Sequence, residues 1–191
     1  NTLGTGGAER VISQLAGHFH AAGCEVIFVT SFPVAEEYPL ADGILRISLE
    51  SQELQQSRLM RNMTRIKALR KLCKEHKPDA LIAFMQEPNF RAILAAWGLP
   101  VKTVVSVRND PKIAYAGKVG KIVGKVIMPM ADGCVFQTEQ AKQWFPKRLQ
   151  AKSALILNEV TESFFRVQRT GAKNVVSVGR LNAQKNQAML I

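Results

Sequence analysis

The chain has 191 residues, 47% of them hydrophobic and 7% aromatic, enough for one domain with a real core, or one domain plus part of another, without disulfides or metal. A charged fraction of 21% with ordinary glycine and proline content excludes a disordered or collagen-like chain. Twenty-six Lys and Arg against fifteen Asp and Glu leave a net charge of +11, so the surface is basic and suits an anionic partner.

In chain order, Gly6 and Gly7 lead into a predicted helix over 8–22, in which Val11, Ile12, Leu15, Ala16 and Phe19 recur at helical spacing and Gly23 supplies the stop. Residues 25–30 (EVIFVT) form a short β-branched run, the pattern of a buried strand, and 44–49 form a second. A long helix follows over about 54–76, with Leu59, Met63, Ile66, Leu69 and Cys73 on one stripe, ended by Pro78-Asp79. Then come a strand over 80–85, a helix over 89–97, a strand over 102–107, a helix over 113–131, a strand over 134–137, a helix over 139–145 and a strand over 154–157. Apolar strands that alternate with helices predict an α/β fold, a Rossmann-like parallel sheet covered on both faces.

After Asn158 the texture changes. Residues 161–173 are polar and read as a linker, 174–178 (NVVSV) start a new strand, and 187–191 open a helix that the sequence does not finish. The expected organisation is a first domain over 1–160 and the opening βα unit of a second over 174–191. The start, Asn1-Thr2-Leu3-Gly4, has neither Met nor a basic signal-peptide segment and enters directly into a glycine-rich turn, so the chain reads as a fragment cut at both ends that lacks the first strand of its sheet. The longest apolar stretches, such as 92–101, are interrupted by Gly98 and Pro100 and fall short of the roughly 20 residues a spanning helix needs. Cys24, Cys73 and Cys134 are odd in number and lack C-x-x-C spacing, which points to a reducing compartment and to neither a disulfide framework nor a zinc site.

Gly4-Thr5-Gly6-Gly7-Ala8-Glu9-Arg10 fails the G-x-G-x-x-G pattern because Glu9 stands at the third glycine position. What survives is a Gly-Gly pair at a helix N-terminus, which either lets backbone and free N–H groups approach an anion or simply makes a tight turn. Ser177-Val178-Gly179-Arg180-Leu181-Asn182-Ala183-Gln184-Lys185-Asn186 follows a predicted strand and brings two cations, Arg180 and Lys185, to a strand-end loop where they face phosphates or solvent. Arg108, Asn109 and Asp110 follow another strand, at the edge where open α/β sheets bind ligands, although a buried Arg–Asp pair fixing the loop is the competing account. Thr138 is a predicted N-cap. His18 and His20 lie on different faces of their helix and, with His76, have no metal-like grouping.

Taken together, G-G-A-E-R, then Val107-Arg108-Asn109-Asp110-Pro111, Phe136-Gln137-Thr138-Glu139, Leu157-Asn158-Glu159-Val160, and finally V-G-R-L-x-x-x-K-N form an ordered series along essentially the whole chain. The series resembles the family 4 glycosyltransferases of the GT-B fold. The resemblance implies a retaining transfer from a nucleotide-diphosphate sugar to a glycan or lipid-linked acceptor, with no metal and no cofactor besides the donor. It implies that Arg180 and Lys185 neutralise the leaving diphosphate, that Gly6 and Gly7 lie against sugar and phosphates, and that Arg108, Asn109 and Asn158 contribute to substrate binding. The paired glutamates of the family's second domain would lie past Ile191. Where many relatives place a His after the fourth strand, this chain has Phe84-Met85-Gln86-Glu87-Pro88-Asn89. One of Gln86, Glu87 and Asn89 is expected to bind the acceptor or the sugar, with helix capping or solvation the alternative, above all for Asn89; no general base is assigned. The isolated fragment is expected to be inactive.

Two stretches carry the basic charge. Residues 57–77 hold Arg58, Arg61, Arg65, Lys67, Arg70, Lys71, Lys74 and Lys77 against Glu75, and 113–131 combine Lys118, Lys121 and Lys125 with Tyr115, Val119, Ile122, Val126 and Met130 at helical spacing. They are either core-packed helices with solvated cationic faces or an attachment to anionic lipid, which would put the protein in the cytoplasm at the inner face of the plasma membrane. Few aromatics interleave these charges and no nucleic-acid-binding signature is present, so nucleic acid is not an expected partner. A nucleotide-sugar epimerase of the same fold and a non-catalytic basic module binding anionic membrane or nucleic acid are the alternatives to transfer.

Overall fold

A computed structural model describes residues 2–4, 6–52, 55–158 and Met189. The chain divides into two compact units, Asn1–Leu157 and Asn158–Ile191. The linker, strand and helix expected over 161–191 lie outside the described residues, apart from Met189.

The first unit alternates as its hydrophobic pattern demands. Helix α1 (Gly7–Ala21) precedes β1 (Ile27–Thr30) and β2 (Leu45–Ser48); α2 (Arg58–His76) leads to β3 (Ala80–Phe84), α3 (Gln86–Ala96) to β4 (Lys102–Val107). After β4 come α4 (Pro111–Ala114) and α5 (Gly117–Ile122), then β5 (Gly133–Phe136), α6 (Glu139–Gln143), α7 (Lys147–Gln150) and β6 (Ser153–Leu155). Every pairing is parallel: β1 with β2, and β3-β4-β5-β6 in that order. Parallel strands need a crossover between them, which helices supply from β3 through β6, whereas an irregular segment over 31–44 joins β1 to β2. The α/β reading of the sequence stands.

The main core lies on the four-stranded sheet. Val105, Val107, Cys134 and Phe136 from β4 and β5 pack with Ile93, Tyr115, Val123, Met128, Phe145 and Leu149. Phe145 stacks obliquely on Phe136 at 5.2 Å and edge-on to Tyr115 at 5.4 Å. Each of these large side chains contributes on the order of 1.5–3 kcal/mol by leaving water. A smaller cluster of Leu3, Ala16 and Phe28 seats α1 on β1, and α3 packs between α2 and the segment after α5.

The caps follow local chemistry. The Ser57 hydroxyl accepts from Met60 N at the start of α2, and Thr138 accepts from Ala141 N at the start of α6, as the sequence predicts. Helix α2 ends on Lys77 in the left-handed conformation.

Three expectations are corrected. Helix α3 starts at Gln86, three residues before the predicted start, so Gln86 and Glu87 belong to its first turn. The single helix expected over 113–131 is broken: α4 ends at Tyr115, Gly117 (φ +71°) restarts the chain as α5, and a π-turn (Val123–Ile127) and a 3₁₀ turn (Met128–Met130) complete it. Its inward face is Gly120, Val123, Gly124 and Met128, whereas Val119, Ile122, Val126 and Met130 of the expected apolar stripe face outward. Glycine decides this rotation. A Cβ at Gly120 would stand 2.5 Å from the Tyr115 carbonyl carbon, and one at Gly124 2.5 Å from the Trp144 ring, so only bare backbone fits there. On α2, the buried positions are Arg65, Leu69 and Cys73, while Leu59 and Met63 are exposed; the stripe read from the sequence is shifted onto an arginine.

Candidate functional site

In a parallel sheet every strand ends at the same edge, and the loops there are where ligands bind. In the four-stranded sheet that edge carries Met85 after β3, Arg108 and Asn109 after β4, and Gln137 after β5; Ser31 and Glu50 follow β1 and β2 of the separate two-stranded sheet, and Arg91 of α3 bonds to Ser31 while Arg65 of α2 bonds to Glu50. Register joins two of the sequence-predicted groups: Phe84 pairs with Ser106, so the start of α3 with Gln86 and Glu87 lies beside Arg108 and Asn109.

The turn between β3 and α3 is strained. Met85 has φ 77° and ψ 158°, a region ordinarily left to glycine, at a cost of about 1–3 kcal/mol. The geometry is held from both sides: Met85 N donates to the Ser106 carbonyl at 3.3 Å, and the Met85 carbonyl accepts from Asn89 N at 3.0 Å. Asn89 is fully buried, and its Nδ2 donates to the same Ser106 carbonyl at 2.9 Å. Neither capping nor solvation describes Asn89; it is an internal clamp between α3 and β4. Asn109 is exposed and reaches back to the Met85 sulfur at 4.0 Å. Arg108 is half-buried, its guanidinium 4.9 Å from the centre of the Phe84 ring, and burial holds its pKa down. The Arg–Asp pair weighed for this loop does not form as a buried pair: Asp110 is exposed and accepts from Lys112 N at 2.8 Å, capping α4.

Glu87 is committed to arginines. Arg58 Nε donates to Oε1 at 2.9 Å, and Arg91 Nη2 pairs with Oε2. Burial works to raise the Glu87 pKa, but Arg91 and Arg58 outweigh it and hold the carboxyl below its ordinary value. An ionised carboxylate with both oxygens engaged is a poor proton acceptor, so Glu87 positions the first turn of α3. Arg91 is buried, with its other donors on Asn62 Oδ1 at 2.7 Å and Ser31 Oγ at 3.3 Å, which ties α3 to α2 and to the end of β1. Beneath it, Arg65 forms a two-pronged pair with Glu50 at 2.7 and 2.9 Å, both side chains buried. This arginine network is what sequence reasoning missed, having taken the basic stretch of 57–77 as either a solvated or a lipid-facing surface. Two spacings carried the signal: Arg58, Asn62 and Arg65 at i, i+4, i+7 on one helix face, and Glu87 with Arg91 at i, i+4.

Gly6 and Gly7 occupy the N-cap and first position of α1. A Cβ at Gly6 would press on the Glu9 carboxylate, the movable end of its side chain, whereas among the described residues nothing lies within 4 Å of one at Gly7. Among the described residues Gly7 therefore faces open space. Asn158 is exposed after β6. Arg180 and Lys185 lie outside the described residues. The structure thus brings together Gln86, Glu87, Arg108 and Asn109. A hollow of about 540 Å³ lined by Trp97, Leu99, Lys102, Asp132 and Arg148 sits at the opposite edge of the sheet, where β4 and β5 begin, and holds none of these residues.

With this geometry in view, four similarities to known proteins bear on the fold and the family. The chain is 27% identical over 199 residues to the GalNAc-alpha-(1->4)-GalNAc-alpha-(1->3)-diNAcBac-PP-undecaprenol alpha-1,4-N-acetyl-D-galactosaminyltransferase of Campylobacter jejuni subsp. jejuni serotype O:2, spanning all of this chain and 54% of that protein. The chain thus spans about half the length of the curated relative it matches. Its fold is similar to the apo form of the lipopolysaccharide outer core galactosyltransferase WaaB (TM-score 0.60, 18% identity, 83% of this chain and 44% of that one). It is also similar to a glycosyltransferase from Rickettsia africae ESF-5 (TM-score 0.58, 17% identity, 85% and 42%). The model of Glycosyltransferase Family 4 matches residues 5–160, well over half of the sequence, and the chain belongs to that family.

Proposed function

We propose that the whole protein transfers a sugar from a nucleotide-diphosphate sugar to a glycan or lipid-linked acceptor, with retention of anomeric configuration. The observation that carries this reading is the Family 4 match over residues 5–160. In this reading residues 1–160 are the acceptor-side domain, 161–173 a linker, and 174–191 the start of the donor-binding domain. The acceptor reading is supported by the relative from Campylobacter, whose name specifies an undecaprenol-PP-linked acceptor. It is further supported by Arg108 at the end of β4, a cation suited to an anionic group.

In this mechanism Arg180 and Lys185 balance the charge that grows on the departing diphosphate, without metal or further cofactor. Gly6 and Gly7 let backbone approach the sugar and phosphates, and Gln86, Asn109 and Asn158 donate or accept hydrogen bonds to substrate hydroxyls. Glu87, held by Arg58 and Arg91, keeps the β3–α3 turn in place. The reaction takes place in the cytoplasm, at the inner face of the plasma membrane, where a lipid-linked acceptor presents its sugar. In the cell this serves envelope polysaccharide synthesis.

The test supplies the intact protein with a panel of UDP-, GDP- and ADP-sugars and a lipid-linked acceptor. Transfer with unchanged anomeric configuration is expected, and Arg180→Ala or Lys185→Ala should each lower turnover by about a hundredfold or more. Release of a free isomerised sugar would identify an epimerase instead, and no uptake of any sugar nucleotide by calorimetry would leave a basic non-catalytic module.

A further inference from the structure

Met85 holds a backbone conformation that its residue type ordinarily avoids, at the edge where β3 and β4 end. Glycine would adopt φ 77° without penalty, so the cost of keeping a methionine there is borne for something its side chain supplies. An ordinary extended angle would continue β3 and carry residue 85 onto the face of the buried Ala83, two positions earlier. Instead the side chain is half-buried, and its sulfur lies 4.0 Å from the amide nitrogen of the exposed Asn109. The turn is fixed from several directions. The Ser106 carbonyl accepts from both Met85 N and Asn89 Nδ2, and Asn89 N donates to the Met85 carbonyl. Asn89 is itself fully buried, so the turn cannot relax without breaking an internal bond. Next in the chain, the half-buried Gln86 amide makes no hydrogen bond among the described residues. A polarisable thioether is thus grouped with two primary amides, those of Gln86 and Asn109, while Glu87 is already engaged by Arg58 and Arg91.

We propose that Met85 is a specificity-determining contact of the acceptor subsite, its thioether packed on the apolar C–H surface of a neutral sugar whose hydroxyls bond the Gln86 and Asn109 amides. A pyranose presents C–H groups on its faces and hydroxyls around its rim, which this grouping matches: an apolar side chain for the one, amide donors and acceptors for the other. None of the three side chains carries a charge, so they suit a neutral ring and not a phosphate. The strained turn fixes where the flexible methionine starts, and its unbranched chain adapts to the ring it meets. This rests on the reading of residues 1–160 as the acceptor side, and it names the residue through which that side recognises its sugar.

The experiment compares Met85→Ala, Met85→Gly and Met85→Leu in the intact protein. Met85→Gly should melt above Met85→Ala, the reverse of the ordinary order, because only alanine keeps a Cβ at positive φ. Both should raise KM for the lipid-linked acceptor about tenfold or more with the donor KM unchanged. Met85→Leu, which fills similar space, should stay within about threefold of wild type. Independently of turnover, protein isotope-labelled at its methionine methyl groups is titrated with methyl pyranosides, with and without an N-acetyl group. The Met85 resonance, identified by its absence in Met85→Leu, should shift. A wild-type acceptor KM in Met85→Ala overturns the proposal, as does a Met85 resonance that no pyranoside moves, or an alanine variant at least as stable as the glycine one. A Met85 resonance that shifts in a protein without transfer activity would refute the transferase reading alone.

Discussion

Removing the carboxylate of Glu50 tests whether the arginine network holds the functional edge together. Glu50 and Arg65 share two hydrogen bonds of 2.7 and 2.9 Å with side chains only 4% and 6% exposed, so neither charge has water to fall back on. In Glu50→Ala the Arg65 guanidinium stays buried, 5.7 Å from the centre of the Phe32 ring and near a second cation, since Arg65 lowers and Glu50 raises the pKa of Arg91. Breaking one half of a buried pair costs about 3–5 kcal/mol, and the repulsion between Arg65 and Arg91 puts Glu50→Ala at the upper end. Arg65→Met should cost less, because Glu50 then still has Arg91 near it and the thioether refills the space. At about 2–4 °C per kcal/mol for a chain of this size, Glu50→Ala lowers Tm by roughly 8–20 °C. The double variant Glu50→Ala/Arg65→Met recovers much of that loss. Thermal and urea unfolding followed by circular dichroism measure all three. The reasoning fails if Glu50→Ala costs under about 1 kcal/mol, well below the range for a broken buried pair, or if Arg65→Met proves the more damaging of the two single changes.

Gly7→Ala separates a turn requirement from a ligand requirement. With nothing among the described residues within 4 Å of the added methyl and no positive φ, the variant should fold with stability unchanged or raised by up to about 1 kcal/mol. If the backbone there approaches the donor, calorimetric affinity for the sugar nucleotide should fall about tenfold or more, the 1–3 kcal/mol of an overpacked contact; unchanged affinity would remove Gly7 from the site. Stability should also decline in alkali. Burial pushes the Cys134 thiol from 9.0 up to about 12, raises Cys73 against the pull of Arg70, and lifts the Tyr115 hydroxyl above its ordinary 10.0. The folded protein keeps protons that the unfolded chain releases, so full stability below pH 9 gives way to a fall of about 1.4 kcal/mol per pH unit for each such group, steeper once tyrosine joins. Urea midpoints from pH 8 to 10.5 should show this decline and a shallower one in Cys134→Ala; a flat profile would contradict it.

Local pattern made much of the molecule legible. β-branched runs between helical stretches identified the strands of the parallel sheet, Thr138 announced its own capping bond, and the ordered motifs pointed to the family that the match over 5–160 establishes. The candidate site was legible only in part. Gln86, Glu87, Arg108 and Asn109 were identified as types at strand ends, and the register of β3 against β4 is what makes them neighbours.

What the sequence by itself determined is whatever depends on residues within a turn or two of one another: the order of elements, their caps, and the periodicity that assigns helix or strand. Tertiary structure decided which cations are internal, because Arg65 and Arg91 are neutralised or bonded by Glu50, Asn62 and Ser31, partners 15, 29 and 60 positions away. It likewise decided the inward face of 117–130, where the Tyr115 backbone and the Trp144 ring admit only glycine and turn valine and isoleucine toward solvent. Periodicity identifies an amphipathic face; only the shape of the opposing surface determines whether that face goes in or out.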